Sequence, residues 1–198
     1  VFIGILSAGL ITMGSFIYTL GSRKKSNKFF KYIKPIELMG YSLPGPIVAI
    51  SLIGAIGIIN NIFKLDIPLS GAFILIMAIF YRYLFIGERN WSAHFSRVNQ
   101  ESENTAKVLG LSHIERFRLN YLPIMNKYYL PIFILVFLEV IKELPITLIL
   151  RPFGLNTLSV NIYEYTSEGE WEMAALSSLL LLVIGIPATI FGLRRKTN

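Results

Sequence analysis

The sequence has no cysteine and only two histidines among its 198 residues. Disulfides and thiolate metal centres are therefore excluded. His94 and His113 lie far apart in a polar stretch, where solvated loop histidines are the simpler reading, so no metal site is expected. There is no glycine-rich phosphate loop followed by Lys-Ser/Thr, no His-Glu-x-x-His and no Ser/His/Asp set, and hence no catalytic residues. No repeat, low-complexity tract or Gly/Ser linker divides the chain, so residues 1–198 read as one domain.

What is present in abundance is apolar sequence. Hydrophobic residues make up 54% and the mean hydropathy is +0.58, above the range of soluble domains of this size. Val1–Leu20, Leu38–Phe63 and Met173–Leu193 carry no charge, and about 20 such residues span a bilayer. Ile67–Tyr81 is shorter but continues past Arg82, whose side chain is expected to snorkel to the interface. Tyr128–Leu150 is interrupted by Glu139, Lys142, Glu143 and Pro145. Five spans are expected, the fourth irregular, in an all-α polytopic helix bundle.

The basic residues orient it. Sixteen of the 19 fall between spans one and two, between three and four, or after span five, which predicts those segments and the C-terminus to be cytoplasmic. The net charge of +7 thus reports topology, and nucleic acid is not an expected partner; membrane lipid is. Residue 1 would then lie outside. Because the chain opens with Val in an apolar run and lacks a basic leader, the sequence reads as lacking at least one upstream span.

About 40 polar residues separate spans three and four, long for a simple connection. Val108, Leu109, Leu111, Ile114 and Phe117 recur at helical spacing around Gly110, predicting two short helices with a glycine-permitted turn. Such an element offers an apolar ridge bordered by Glu115, Arg116 and Arg118 to a peripheral subunit, or lies on the membrane as an interfacial helix. In the fourth span, Glu139 and Glu143 are four apart, hence on one helical face, with Lys142 beside Glu139. Pro145 cannot donate a hydrogen bond to Ile141, which favours a kink or break. Charges at membrane depth face a bundle interior or a water-filled cavity, so these residues either line a pathway for a cation or form a structural ion pair. Tyr163, Glu164, Tyr165, Glu168, Glu170, Trp171 and Glu172 make an acidic, aromatic stretch that either receives a soluble partner or anchors at the interface. Gly4, Gly9, Gly14, Gly54, Ala55 and Gly57 read as close helix-packing positions.

The segment from Glu103 to Leu130 resembles the cytoplasmic coupling loop of ABC importer permeases, whose pattern is EAA, three residues, Gly, nine residues, Ile, one residue, Leu-Pro. Ala106, Gly110, Leu122 and Pro123 stand at the matching spacings; Asn104, Thr105 and Asn120 depart from it, and Glu103 is one position away from the pattern's Glu. YSLPGPIVAI at Tyr41–Ile50 is similar to the YxxPGxxxAI signature of ferric-iron and related permeases. KELPITLILRPFGLNTLSVNIYEYTSEGEWEMAALSSLLL, Lys142–Leu181, resembles ferric iron permeases of the FbpB type, especially in KELP, LRPF and YEY. The resemblance, running from about Tyr41 to the C-terminus, implies a type I (MetI-like) permease core in a bacterial inner membrane. It implies a coupling loop at about 101–124, with Glu103, Ala106, Gly110, Leu111, Phe117, Leu122 and Pro123 meeting a cytoplasmic ATPase dimer that binds ATP and Mg; this chain itself needs no cofactor. Further implied partners are a second permease half or subunit and an extracytoplasmic substrate-binding protein. Ferric iron is the implied substrate, with thiamine, phosphonate or polyamine as alternatives. Glu139, Lys142, Glu143 and Pro145 are the pathway candidates. A membrane-embedded enzyme using the acids near Glu139, or an ungated assembly subunit, are the rival classes.

Overall fold

The computed structural model describes residues 1–23, 28–68, 71–96 and 108–197, and the described residues are helical with no strand. In chain order the helices are α1 (Phe2–Ser22), α2 (Lys28–Ser42), α3 (Gly45–Phe63), α4 (Ala72–Phe95), α5 (His113–Asn120), α6 (Leu122–Ile141), α7 (Pro145–Leu150), α8 (Leu158–Glu168) and α9 (Trp171–Thr197). Among the described residues four stretches are long and apolar enough to cross a membrane: Phe2–Ser22, Gly45–Phe63, Leu122–Ile141 and Trp171–Phe191. The expected third span corresponds to α4, whose 24 residues would reach about 36 Å. It carries Arg82, Glu88 and Arg89, of which Glu88 is buried and Arg82 largely covered by neighbouring helices. α4 packs against α1, α2, α3, α6 and α7, while α9 leans on α6 and α8.

Lipid tails are as apolar as leucine, so association here depends on close contact and buried hydrogen bonds. The inward seam of α1 is accordingly made of Gly4, Ser7, Ala8, Ile11, Thr12, Ser15, Phe16 and Thr19. Thr12 and Thr19 return their hydroxyls to the carbonyls of Ala8 and Ser15, both at 2.7 Å. The Trp91 indole N–H donates to the Thr12 carbonyl at 3.0 Å. A Cβ on Gly87 of α4 would lie 2.2 Å from Ser15 Oγ, so the two backbones approach as only glycine permits. Gly4, Gly9 and Gly14 each face a phenylalanine ring, as expected for packing positions. Gly54 and Gly57 do not: among the described residues no other element comes within 4 Å of a Cβ placed on either.

Two expected spans are broken. Leu38–Phe63 is α2 followed by α3, because Pro44 (φ −56°, ψ 141°) has no N–H to continue α2 and pushes Leu43 out of the helical region. Tyr128–Leu150 is α6, which begins earlier at Leu122, and the short α7. Pro145 opens α7, and α6 ends at Ile141, four residues before it. The carbonyl that Pro145 leaves without a helical donor is Ile141's, and the Ser159 hydroxyl takes it at 2.7 Å. The Ile146 N–H at the start of α7 donates to Glu143 Oε1 at 3.1 Å. The break is thus satisfied from within, as it must be at membrane depth. Ser159→Ala is expected to strand the Ile141 carbonyl and destabilise the protein by about 1–3 kcal/mol, read as a lower unfolding midpoint in detergent; an unchanged midpoint would show that another donor can replace Ser159.

Candidate functional site

One end of the bundle gathers the end of α1, the end of α4 and the whole of α5. Phe16, Trp91 and Phe95 are fully or almost fully buried there, and Phe117 of α5 packs edge-on to Phe16 with centroids 6.2 Å apart. Tyr121 meets Phe95 edge-on at 5.2 Å, and the Arg23 guanidinium lies 5.9 Å from the rings of both Phe95 and Tyr121. Arg23 also donates to the Phe95 carbonyl. Edge-to-face pairs of this kind each contribute roughly 0.5–1.5 kcal/mol beyond burial. Hence α5 is fastened to α1 and α4 by rings.

Before α5 the chain turns at Gly110, whose φ of +70° is left-handed and suits glycine. Ser112 then caps α5: its hydroxyl accepts from the Glu115 N–H at 3.3 Å, and its own N–H donates to Glu115 Oε2 at 2.7 Å, a reciprocal capping box. The Ser112 hydroxyl, then its N–H, hold the Glu115 carboxyl below the usual glutamate range. Around this turn Val108, Leu109, Ile114 and Leu119 are exposed. Leu111 and Leu122 are half-buried and Pro123 is exposed. Glu103 and Ala106, with the rest of residues 101–107 of the expected loop, lie outside the described residues.

The second feature is the α6–α7 break. Lys142 Nζ is 2.7 Å from Glu139 Oε1, with side-chain exposures of 57% and 32%. Glu143 is only 5% exposed, its Oε2 accepting from the Tyr83 hydroxyl and lying 3.5 Å from Arg82 Nε. Glu139 and Glu143 therefore do not share a helical face: α6 stops between them, one pointing outward and the other into the bundle. Leu138 packs 3.9 Å from the Cβ position of Gly185, in the part of the Trp171–Phe191 span that follows Glu172 and carries no charge. Glu139 and Lys142 follow Leu138 by one and four residues, on the same side of the break as this contact with α9. Alongside runs an open cleft of about 230 Å³, lined among others by Asn90, His94, Tyr128, Leu135, Glu139 and Thr189. No cluster of three or more metal-ligating side chains occurs among the described residues.

Residues 2–194 match the profile of the family described as binding-protein-dependent transport system inner membrane component. The chain belongs to this family. It is 28% identical over 158 residues to the Fe(3+)-transport system permease protein FbpB 2 of Haemophilus influenzae, an alignment covering 79% of this chain and 30% of that protein. The chain thus spans under a third of that relative's length. Its fold is shared with a chain in an inward-facing structure of the MetNI methionine ABC transporter, with a TM-score of 0.66 over 96% of this chain and 92% of that one at 13% identity. Family and fold are those of multi-pass ABC importer permeases and not of an enzyme.

As a permease, the chain departs from its sequence reading in several side chains. Phe117 faces inward as the ring that fastens α5, so the outward ridge is Val108, Leu109, Ile114 and Leu119. His94 is no solvated loop residue: it lies in α4 and stacks on Tyr128 at 3.6 Å. Pro145 and Lys142 are exposed, whereas Glu143 belongs to the interior. Arg82 does not snorkel outward but turns into the bundle. Ser159, Tyr83, and the buried pair Glu37 and Glu88 had no distinguishing signal in the sequence; a Ser on an amphipathic helix gives no hint that its hydroxyl caps a break 18 residues earlier.

Proposed function

We propose that this permease forms one side of the translocation pathway of an ATP-driven importer, that residues 108–123 transmit the stroke of a separate cytoplasmic ATPase dimer, and that the substrate is ferric iron. The observation that carries the coupling role is the pairing of an exposed apolar ridge with an aromatic anchor on the same short helix: a force on Ile114 or Leu119 reaches α1 and α4 through Phe117 and Tyr121. ATP and Mg would be bound by the ATPase alone. Iron is supported by the KELP and LRPF segments and by the similarity to a ferric permease. The distribution of basic residues supports a cytoplasmic location for this end and for the C-terminus, and delivery from an extracytoplasmic binding protein on the opposite side, where Glu168, Glu170 and Glu172 lie.

The pathway candidates narrow to Glu139 and Lys142. A charged pair open to its surroundings beside the uncharged part of α9 cannot face lipid cheaply; a water-lined space closed by the second permease half accommodates it. Gly54 and Gly57, where no other described element would meet an added Cβ, offer the same half a close approach on α3.

Gly110→Trp tests coupling. Forcing a side chain into the left-handed turn should leave membrane insertion intact while abolishing ATPase retention on purification and ferric uptake in cells. Wild-type retention with wild-type uptake would reject the coupling role. Impermeant labelling of Ser167→Cys from outside intact cells is expected in the same preparation, and labelling only after permeabilisation would reverse the orientation.

A further inference from the structure

Arg82 and Tyr83 sit side by side in the middle of α4, where the two broken helices meet. Arg82 is 19% exposed in its side chain. Its Nη1 donates to the Leu43 carbonyl at 2.6 Å, the last residue before the Pro44 break. Its Nε lies 3.5 Å from Glu143 Oε2 without a hydrogen bond of its own, so the tie to Glu143 is one of charge. Tyr83 donates to the same Oε2. The other oxygen of Glu143 caps α7 through the Ile146 N–H. The breaks also touch directly: a Cβ on Gly45, the first residue of α3, would lie 3.1 Å from both Glu143 Oε1 and Pro145 Cβ. Both interrupted helices are therefore pinned to α4 through one guanidinium.

We propose that Arg82 is a positioning residue of the pathway: by holding Glu143 inward and the Leu43 carbonyl beside it, it fixes the junction that follows α6 and so turns Lys142 outward beside Glu139. The inference rests on the pathway reading above. Lys142 and Glu143 are adjacent at a non-helical junction and point oppositely, so the inward hold on one directs the other. Arginine suits the task because its planar fork offers separate donors to a carbonyl and a carboxylate, whereas lysine offers a single charged point. Releasing Glu143 leaves a charge inside the bundle and removes the cap of α7. The 142–144 junction, which Pro145 keeps from closing into helix, must then rearrange, and the direction of Lys142 changes with it.

The absence of cysteine makes Lys142→Cys a unique thiol in this sequence. Its labelling rate with an impermeant maleimide, read by mass spectrometry on the assembled complex, reports the break directly. Arg82→Lys and Glu143→Gln are expected to change that rate severalfold, and Tyr83→Phe by less. With Lys142 intact, Arg82→Lys should lower ferric uptake by roughly tenfold or more at normal membrane level and ATPase retention. Loss of uptake with an unchanged labelling rate would assign Arg82 a general structural role and overturn the proposal, as would no change in either. Should Arg82→Lys fail to insert, the neutral Tyr83→Phe carries the test, and an unaltered rate there counts against it. Normal uptake in Glu139→Gln would reject the pathway reading separately, whatever the labelling shows.

Discussion

Gly87→Ala is expected to be among the most damaging single-methyl changes in the protein. The added Cβ would fall 2.2 Å from Ser15 Oγ, 2.7 Å from Ser15 Cβ and 3.6 Å from the Ile11 carbonyl. Ser15 is fully buried and its hydroxyl is turned to the Thr12 carbonyl at 3.1 Å, so rotating it away gives up a hydrogen bond and still leaves its Cβ in place. α1 and α4 must separate. Overpacking of a tight core typically costs 1–3 kcal/mol; with backbone displacement we expect about 3 kcal/mol, lost as folded yield and unfolding temperature. Ser15→Gly combined with Gly87→Ala removes both clashing atoms and should recover much of the loss, less about 1 kcal/mol for glycine within a helix. A Gly87→Ala protein as stable as its parent would show that the seam is looser than its geometry.

Glu139→Gln is expected to act on transport and not on stability. Glu139 and Lys142 are 32% and 57% exposed, so the pair contributes under roughly 1 kcal/mol, and the folded yield should hold. Uptake of a cationic substrate should fall on the order of tenfold, the scale of a lost charge contact worth about 1.4 kcal/mol. Lys142→Gln alone leaves Glu139 uncompensated beside the cleft, and its uptake separates the two residues' contributions. In the double variant, full uptake would reject a pathway role for Glu139, whereas wild-type yield with poor uptake would support it. A stability loss in Glu139→Gln alone, repaired in the double variant, would mark the pair as structural.

Blocks without charge made α1 and α9 legible from sequence, because twenty apolar residues admit few alternatives. The same criterion concealed the break at Pro44: a run free of charge looks continuous, and Pro44–Gly45 registered as a family signature and not as a helix stop. The opposite error affected α4, where charges argued for an early end although Arg82 reaches Leu43 and Glu143 on other helices and Glu88 is buried. For Glu139 and Glu143 the four-residue spacing was sound only while α6 continued, and the proline responsible for ending it acts four positions upstream of itself. Gly110 was readable because positive φ is a local demand. Phe117 was not, since apolar spacing on a short helix does not say which side meets the bundle and which a partner.

The hydrogen bond between Tyr83 and Glu143 joins residues 60 apart in sequence. During synthesis at about 5–20 residues per second, α4 emerges some 3–12 s before the carboxylate that meets Tyr83 and faces Arg82. With Arg82, Glu88 and Arg89, each charge costing roughly 2.5–3.5 kcal/mol at the centre of a lone helix, α4 is a poor candidate to enter the bilayer unaided. Stable insertion of α4 is therefore expected to wait for the later helices, α6 and α7, whose junction brings Glu143 to Tyr83 and Arg82.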